Sequence, residues 1–270
     1  FTQGRVYLFA GSASGLSAMP AQSVAGPDGR SAFGERIANA GDVNGDGFAD
    51  LLVGAAITGT ATLTRSGAAH LFYGRATGAP TLVWSTRETT ADMARLGRDV
   101  AGVGDVNNDG YPDVLIGGSA DEMRRAYVTG FLGGSAGLPL LPSVRYDGTM
   151  EVGERFGQRM SPAGDVDGDG FADALVGANR ASSRDGYVWL LRGDRGGFSR
   201  APAQSITRAG MGLGFGSALA GGDDVNADGY ADAVLGQGCT PGVYPGRATG
   251  LDATAPTDLL DDRGARNAFC

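Results

Sequence analysis

The chain has 270 residues, with 30 acidic side chains against 22 basic ones, all arginine, and a formal charge of −8. That balance argues against nucleic acid as a partner, because phosphate backbones are met by basic faces, and no run of about eighteen apolar residues is present to enter a membrane. Forty-eight glycines suit many short strands and tight turns, and no segment reads as a long amphipathic helix.

The first residues, FTQGRVYLF, lack the basic start and apolar run of a secretory leader. The expectation is that a leader has been removed or that the chain begins inside a larger protein. An alternating strand, VYLFAG (6–11), then enters a hairpin over 4–24, turning with glycines at its first and fifth positions, Gly11 and Gly15. Next comes the pair Phe33-Gly34 and, eight residues after Gly34, the loop DVNGDGFAD (42–50). An apolar run, DLLVGAA (50–56), and an alternating strand, HLFYGR (70–75), follow it, with the Gly74/Gly78 turn and a weaker strand, TLVWS (81–85). Apolar runs ended by glycine read as strands buried on both faces.

The same succession recurs three more times. Leu96-Gly97, Phe156-Gly157 and Phe215-Gly216 each stand eight residues ahead of DVNNDGYPD (105–113), DVDGDGFAD (165–173) and DVNADGYAD (224–232). The alternating strands YVTGFLGG (127–134), YVWLLRG (187–193) and VYPGR (243–247) enter turns at Gly133/Gly137, Gly193/Gly197 and Gly246/Gly250. Loop starts are 63, 60 and 59 residues apart. A repeat of this length with four strands, A to D, in an up-and-down meander predicts an all-β fold, a β-propeller of four-stranded antiparallel blades. Residues 1–270 then form one domain, with units near 33–95, 96–155, 156–214 and 215–268 after a half blade over 1–32. With an A–B strand pair added between the two ends the ring closes at five blades; with further units it closes at seven. An array of β-sandwiches is disfavoured, because about one hundred residues is usual for one.

Each loop concentrates oxygen ligands for a hard cation. Positions 1, 3, 5 and 9 offer side-chain oxygens, position 7 its carbonyl, and the glycine at position 6 permits the bend. The four sets are Asp42, Asn44, Asp46, Phe48 and Asp50; Asp105, Asn107, Asp109, Tyr111 and Asp113; Asp165, Asp167, Asp169, Phe171 and Asp173; and Asp224, Asn226, Asp228, Tyr230 and Asp232. Asp, Asn and Gly also make plain turns, but thirteen converging carboxylates repel one another without a cation. Calcium, about four ions, suits such a shell better than magnesium. EF-hands are excluded, since position 12 is Val53, Ile116, Val176 or Leu235 where a Glu is required.

The unit, Phe-Gly followed by DVNGDG and LLVGA and then a VYLF-type strand, resembles the FG-GAP repeat, which builds the propeller of integrin α chains and of many bacterial surface proteins. The resemblance implies the same ligand roles at the positions named above. It departs in blade number, since integrin propellers have seven blades and four complete units are present here. It also implies a ligand, protein or glycan, on the face opposite the acidic loops, where 56–67, 118–125, 179–186, 88–94 and 147–154 form the connections.

The function expected is a calcium-stabilised extracellular or cell-surface binding and adhesion module, not an enzyme. The alternatives are the non-catalytic propeller of a larger secreted enzyme and a structural spacer. With extracellular-type dissociation constants near 10⁻⁴ M and millimolar calcium, each site adds about 1.4 kcal/mol. Cys239 and Cys270 fall on the connection face in adjacent units, so a disulfide is sterically reasonable and fits an extracellular setting. Arg192-Gly193-Asp194 and the G-x-S-x-G string Gly133–Gly137 both occupy the repeated C–D turn, and the turn explains them. The only histidine, His70, is read as a packing residue.

Overall fold

The computed structural model describes residues 3–259 except 30, 60–64, 89–93, 119–124, 150–153, 181–184, 209–213, 237–240 and 255. Four antiparallel four-stranded sheets succeed one another, each a meander in chain order. Blade 1 runs A Arg36–Gly41, B Asp50–Ala55, C Ala68–Tyr73 and D Thr81–Arg87. Blade 2 runs A Asp99–Gly104, B Asp113–Gly118, C Tyr127–Phe131 and D Val144–Asp147. Blade 3 runs A Glu154–Gly164, B Asp173–Arg180, C Tyr187–Leu191 and D Gln204–Thr207. Blade 4 runs A Ala218–Asp223, B Asp232–Gly236, C Gly242–Tyr244 and D Thr257–Asp258. Ahead of them Arg5–Leu8 pairs with Gln22–Ala25 as the predicted half blade. No α-helix occurs among the described residues, and the expected all-β propeller architecture is observed.

The core is divided into layers between successive blades. One apolar cluster joins the half blade to blade 1 through Val6, Val24, Phe33 and Phe72. The next joins blades 1 and 2 through Leu52, Leu71, Trp84, Ile116 and Phe131. Val128, Phe156, Val176 and Tyr187 bind blades 2 and 3, and Leu190, Phe215, Leu235 and Tyr244 bind blades 3 and 4. The predicted Phe-Gly pairs supply both parts of this packing. Phe33, Phe156 and Phe215 are at most 3% exposed, and the glycine beside each takes a left-handed φ, from 68° to 85°. Their partners are the glycines of the B strands: a Cβ on Gly54, Gly117 or Gly177 would stand 2.1 to 2.2 Å from the carbonyl oxygen of Gly97, Gly157 or Gly216 in the following blade. At these points the blades approach closely because neither side carries a side chain.

The A strands of blades 1, 2 and 3 line a cavity of about 690 Å³. Each A–B pair carries a register shift immediately before its acidic loop. A left-handed glycine marks that shift, Gly41, Gly104, Gly164 or Gly222, as β-bulges commonly show. Cys239 and Cys270 lie outside the described residues, as do large parts of the five connections named above.

Candidate metal centre

The four acidic loops share one internal geometry. Position 1 accepts two backbone N–H groups, from positions 5 and 6: Asp46 and Gly47 to Asp42, Asp109 and Gly110 to Asp105, Asp169 and Gly170 to Asp165, and Asp228 and Gly229 to Asp224, at 2.7 to 3.1 Å. Position 3 accepts a second bond from the N–H of position 5, and position 5 accepts one from position 7. Two residues per loop are left-handed. Position 6 is glycine throughout, with φ from 89° to 94°, and position 4 is Gly45, Asn108, Gly168 or Ala227, with φ from 55° to 75°.

Position 9 does something the sequence reading did not foresee. Asp50, Asp113, Asp173 and Asp232 are buried, at most 3% exposed. One carboxylate oxygen of each accepts the N–H of loop position 2 (Val43, Val106, Val166, Val225). The other accepts the N–H of the first glycine of the C–D turn: Gly74, Gly133, Gly193 and Gly246, at 2.8 to 3.1 Å. Each position-9 aspartate therefore clamps the acidic loop to the C–D turn of its own blade, which puts both turns on one face. The loop also docks on the next blade: Gly134 N–H donates to Val43 O, Ala172 to Asp105 O, and Ala231 to Asp165 O. Burial pushes the carboxyls of Asp113 and Asp173 up to about 7 against the two N–H groups that lower them, and it raises Asp50 as well.

Every donor in these loops is oxygen, which fits a hard cation. In the third loop one oxygen from each of Asp165, Asp167 and Asp173 lies within 4.8 Å of the others. That loop alone has a fourth carboxylate, Asp167, and Arg192 Nη1 stands 2.8 Å from its Oδ2. Burial raises the Asp167 carboxyl and Arg192 opposes the rise. The fourth loop is the most open, with Val225 64% exposed, where Val43, Val106 and Val166 are at most 1% exposed.

None of the position-7 aromatics is buried. Phe48 is 40% exposed, and the tyrosines of the second and fourth loops cover their neighbours: the Tyr111 ring lies over Gly45 and the Tyr230 ring over Gly168. Gly193 of the Arg-Gly-Asp string is held in the clamp, and Asp194 accepts the Gly196 N–H. His70 is fully buried. Its Nδ1 meets Ser85 Oγ at 2.8 Å, and its Nε2 lies 3.0 Å from Asp28 Oδ2, off the hydrogen-bond line. Asp28 also pairs with Arg87. The string ties the segment ahead of blade 1 to strands C and D of that blade. Burial lowers the His70 imidazole, with Asp28 opposing.

Radially stacked four-stranded blades with an oxygen-rich loop at every A–B turn define a propeller of repeated cation-type loops. The family model of the FG-GAP repeat matches residues 33–72 and 156–191, in two of the four blades, and with the relatives below it supports an integrin-α-like FG-GAP propeller. It is 36% identical to integrin alpha-IIb of Homo sapiens over 159 residues, 56% of this chain and 15% of that protein. It is 33% identical to integrin alpha-4 of Xenopus laevis over 178 residues, 65% of this chain and 17% of that protein. The chain thus spans under a fifth of the length of either relative. Among solved structures, an exotype rhamnogalacturonan lyase, YesX, superposes with a TM-score of 0.52 over 91% of this chain and 44% of its own, at 15% identity. That likeness is one of fold.

Proposed function

We propose that the chain is a calcium-stabilised propeller that works outside the cell or at its surface as a non-catalytic binding and adhesion module. The observation that carries the reading is the repetition of one oxygen-lined loop on one face of four successive blades. In each loop the side chains of positions 1, 3, 5 and 9 and the carbonyl of position 7 would hold one ion. The ion supplies positive charge to carboxylates that otherwise repel. No step of chemistry is assigned to it: its role is to fix the A–B turn and, through the position-9 clamp, the C–D turn.

The relatives named above are integrin α chains, and protein ligation on the face away from the acidic loops is transferred from them as part of this proposal. An extracellular setting follows from the affinity expected of such loops, about 10⁻⁴ to 10⁻³ M in extracellular modules. Calorimetric titration of chelator-stripped protein tests the reading. About four calcium ions per chain are expected, and the absence of any calcium heat or of bound metal by elemental analysis overturns it.

A further inference from the structure

The residues at the starting ends of the A strands lie on the face opposite the acidic loops, because each A strand runs toward its loop. There, Arg36, Arg98, Arg155 and Arg159 line one hollow of about 210 Å³ together with Gln158 and Asn179. Among the described residues, the only carboxylate in its wall is Glu35. A second hollow, of about 180 Å³, adjoins it through Arg98 and Glu35 and adds Arg65 and Arg95. Six of the 22 arginines of a chain with formal charge −8 thus converge on one spot. Among the described residues the carboxylates that face them are Glu35 and Asp99, the latter 3.4 Å from Arg36 Nε.

Like charges brought together disfavour their own charged state unless an anion joins them. Arg98 records that stress: burial and then Arg95, Arg155 and Arg36 push its proton affinity down, and Glu35 opposes them. Arg155 and Arg159 are exposed, so the donors reach solvent. Guanidinium forks match carboxylates two bonds at a time, and clusters of arginines are a recurrent means of reading acidic motifs. Each hollow is smaller than the roughly 300–1,000 Å³ of small-molecule pockets. That size suits single side chains reaching in from a segment that lies across the face. Among the described residues, the two walls contain no aromatic ring on which a sugar could stack.

We infer that this arginine basin is a docking site for an acidic protein segment, two or more neighbouring Asp or Glu side chains reaching into the adjoining hollows. It deepens the binding-module reading by naming the ligand chemistry of the face away from the acidic loops. It does not require calcium to be the ion held on the other face.

The test is fluorescence anisotropy of labelled hexaglutamate with the intact chain at low and at 0.15 M salt, in calcium and in chelator. Binding that weakens with salt is expected. The double variant R155Q/R159Q should lose at least tenfold in affinity while keeping the parent melting temperature. R195Q, in a C–D turn on the other face, should leave affinity unchanged. D99N, which removes a competing carboxylate and keeps an acceptor for the Met160 N–H, should tighten binding about threefold. Failure of hexaglutamate to bind overturns the inference, as does an equal loss in R195Q. Tighter binding of an oligogalacturonate of equal charge, or of inorganic phosphate alone, also overturns it in favour of a glycan or small-anion site. A chain that takes up calcium but ignores hexaglutamate sinks this inference and leaves the binding-module reading standing. One that binds hexaglutamate and takes up no calcium leaves this inference standing and sinks the calcium part of the proposed function.

Discussion

Arg192 reaches across from the C–D turn of blade 3 and places its Nη1 2.8 Å from Asp167 Oδ2. Asp167 is the one position-3 residue that is Asp; its counterparts are Asn44, Asn107 and Asn226. The guanidinium offsets the additional carboxylate and returns the third loop to the net charge of the other three. In blade 1 the residue at the Arg192 position is Tyr73, whose hydroxyl faces Asn44. The residue ahead of the turn glycine thus meets position 3 in both blades, with a partner matched to its charge.

R192M keeps the apolar stem and removes the charge. In chelator it should lower stability by about 1–3 kcal/mol, between the values for exposed pairs and for broken buried pairs. In millimolar calcium the loss should shrink, because the ion then offsets Asp167. Paired melting curves check this; an identical loss with and without calcium would show that Arg192 acts through packing alone.

Stripping the metal is the broader test. With about 1.4 kcal/mol per site at tenfold excess over the dissociation constant, four sites contribute about 5–6 kcal/mol. For a domain of this size that corresponds to a fall in melting temperature of about 10 °C or more. D169A should remove one ion of four and about a quarter of the calcium-dependent shift. Unchanged melting in excess chelator contradicts the metal reading.

The features visible in the sequence were those the backbone itself demands. A left-handed turn at position 6 needs glycine, so Gly47, Gly110, Gly170 and Gly229 mark every loop, and the 63-, 60- and 59-residue spacing then gives the blades. The clamp was hidden because its partners sit at unequal separations: 24 residues for Asp50–Gly74, 20 for Asp113–Gly133 and Asp173–Gly193, and 14 for Asp232–Gly246. Connection length varies freely while the contact does not. The arginine basin was hidden for a related reason: its members come from three successive repeats, and only the stacking of blades brings them together. The placement of the position-7 rings was hidden too, because composition does not distinguish a ring buried between sheets from one laid over a neighbour's glycine, as Tyr111 and Tyr230 are.

Position 4 of the loops offers a stability prediction. Gly45, Asn108 and Gly168 adopt its left-handed conformation readily, whereas Ala227 is held at φ 61°. An L-residue with a Cβ is strained there by about 1–2 kcal/mol. Gly gains most of that back but enlarges the unfolded ensemble by about 0.4–1 kcal/mol. A227G should therefore raise stability by about 0.5–1 kcal/mol, read in chelator so that metal binding does not mask it. A lower melting temperature in A227G would show that the strain at this residue is relieved elsewhere.

Blade docking gives a second. A Cβ on Gly117 would lie 2.2 Å from Gly157 O and 3.4 Å from Met160 Cε. The first contact is backbone against backbone and cannot be relieved by a rotamer change. G117A should cost about 1–3 kcal/mol, the range for overpacking a tight interior. It should also raise amide exchange in the Phe156–Gly157 segment ahead of exchange within blade 2. Uniform exchange across both blades would mean that the interface is not the weak point.

Asp99 supplies the pH dependence. The residue is 6% exposed, its Oδ2 accepts the Met160 N–H at 2.8 Å, and Arg36 and Arg159 flank it. Burial outweighs these partners and pushes the carboxyl from an ordinary 3.8 up to about 6. The folded chain therefore holds this proton at pH values where the unfolded chain has lost it, so stability falls as pH rises from about 4 to 6. D99N removes the titration and keeps an acceptor. Its stability relative to the parent should grow across that window to a gain of about 1–3 kcal/mol at pH 7. The measurement is the difference in unfolding free energy between D99N and the parent from pH 4 to 7, at constant ionic strength and in chelator, so that the carboxylates of the acidic loops titrate alike in both. A difference that stays flat across the window would mean that Arg36 and Arg159 hold Asp99 ionised throughout, and that burial is not what sets its charge.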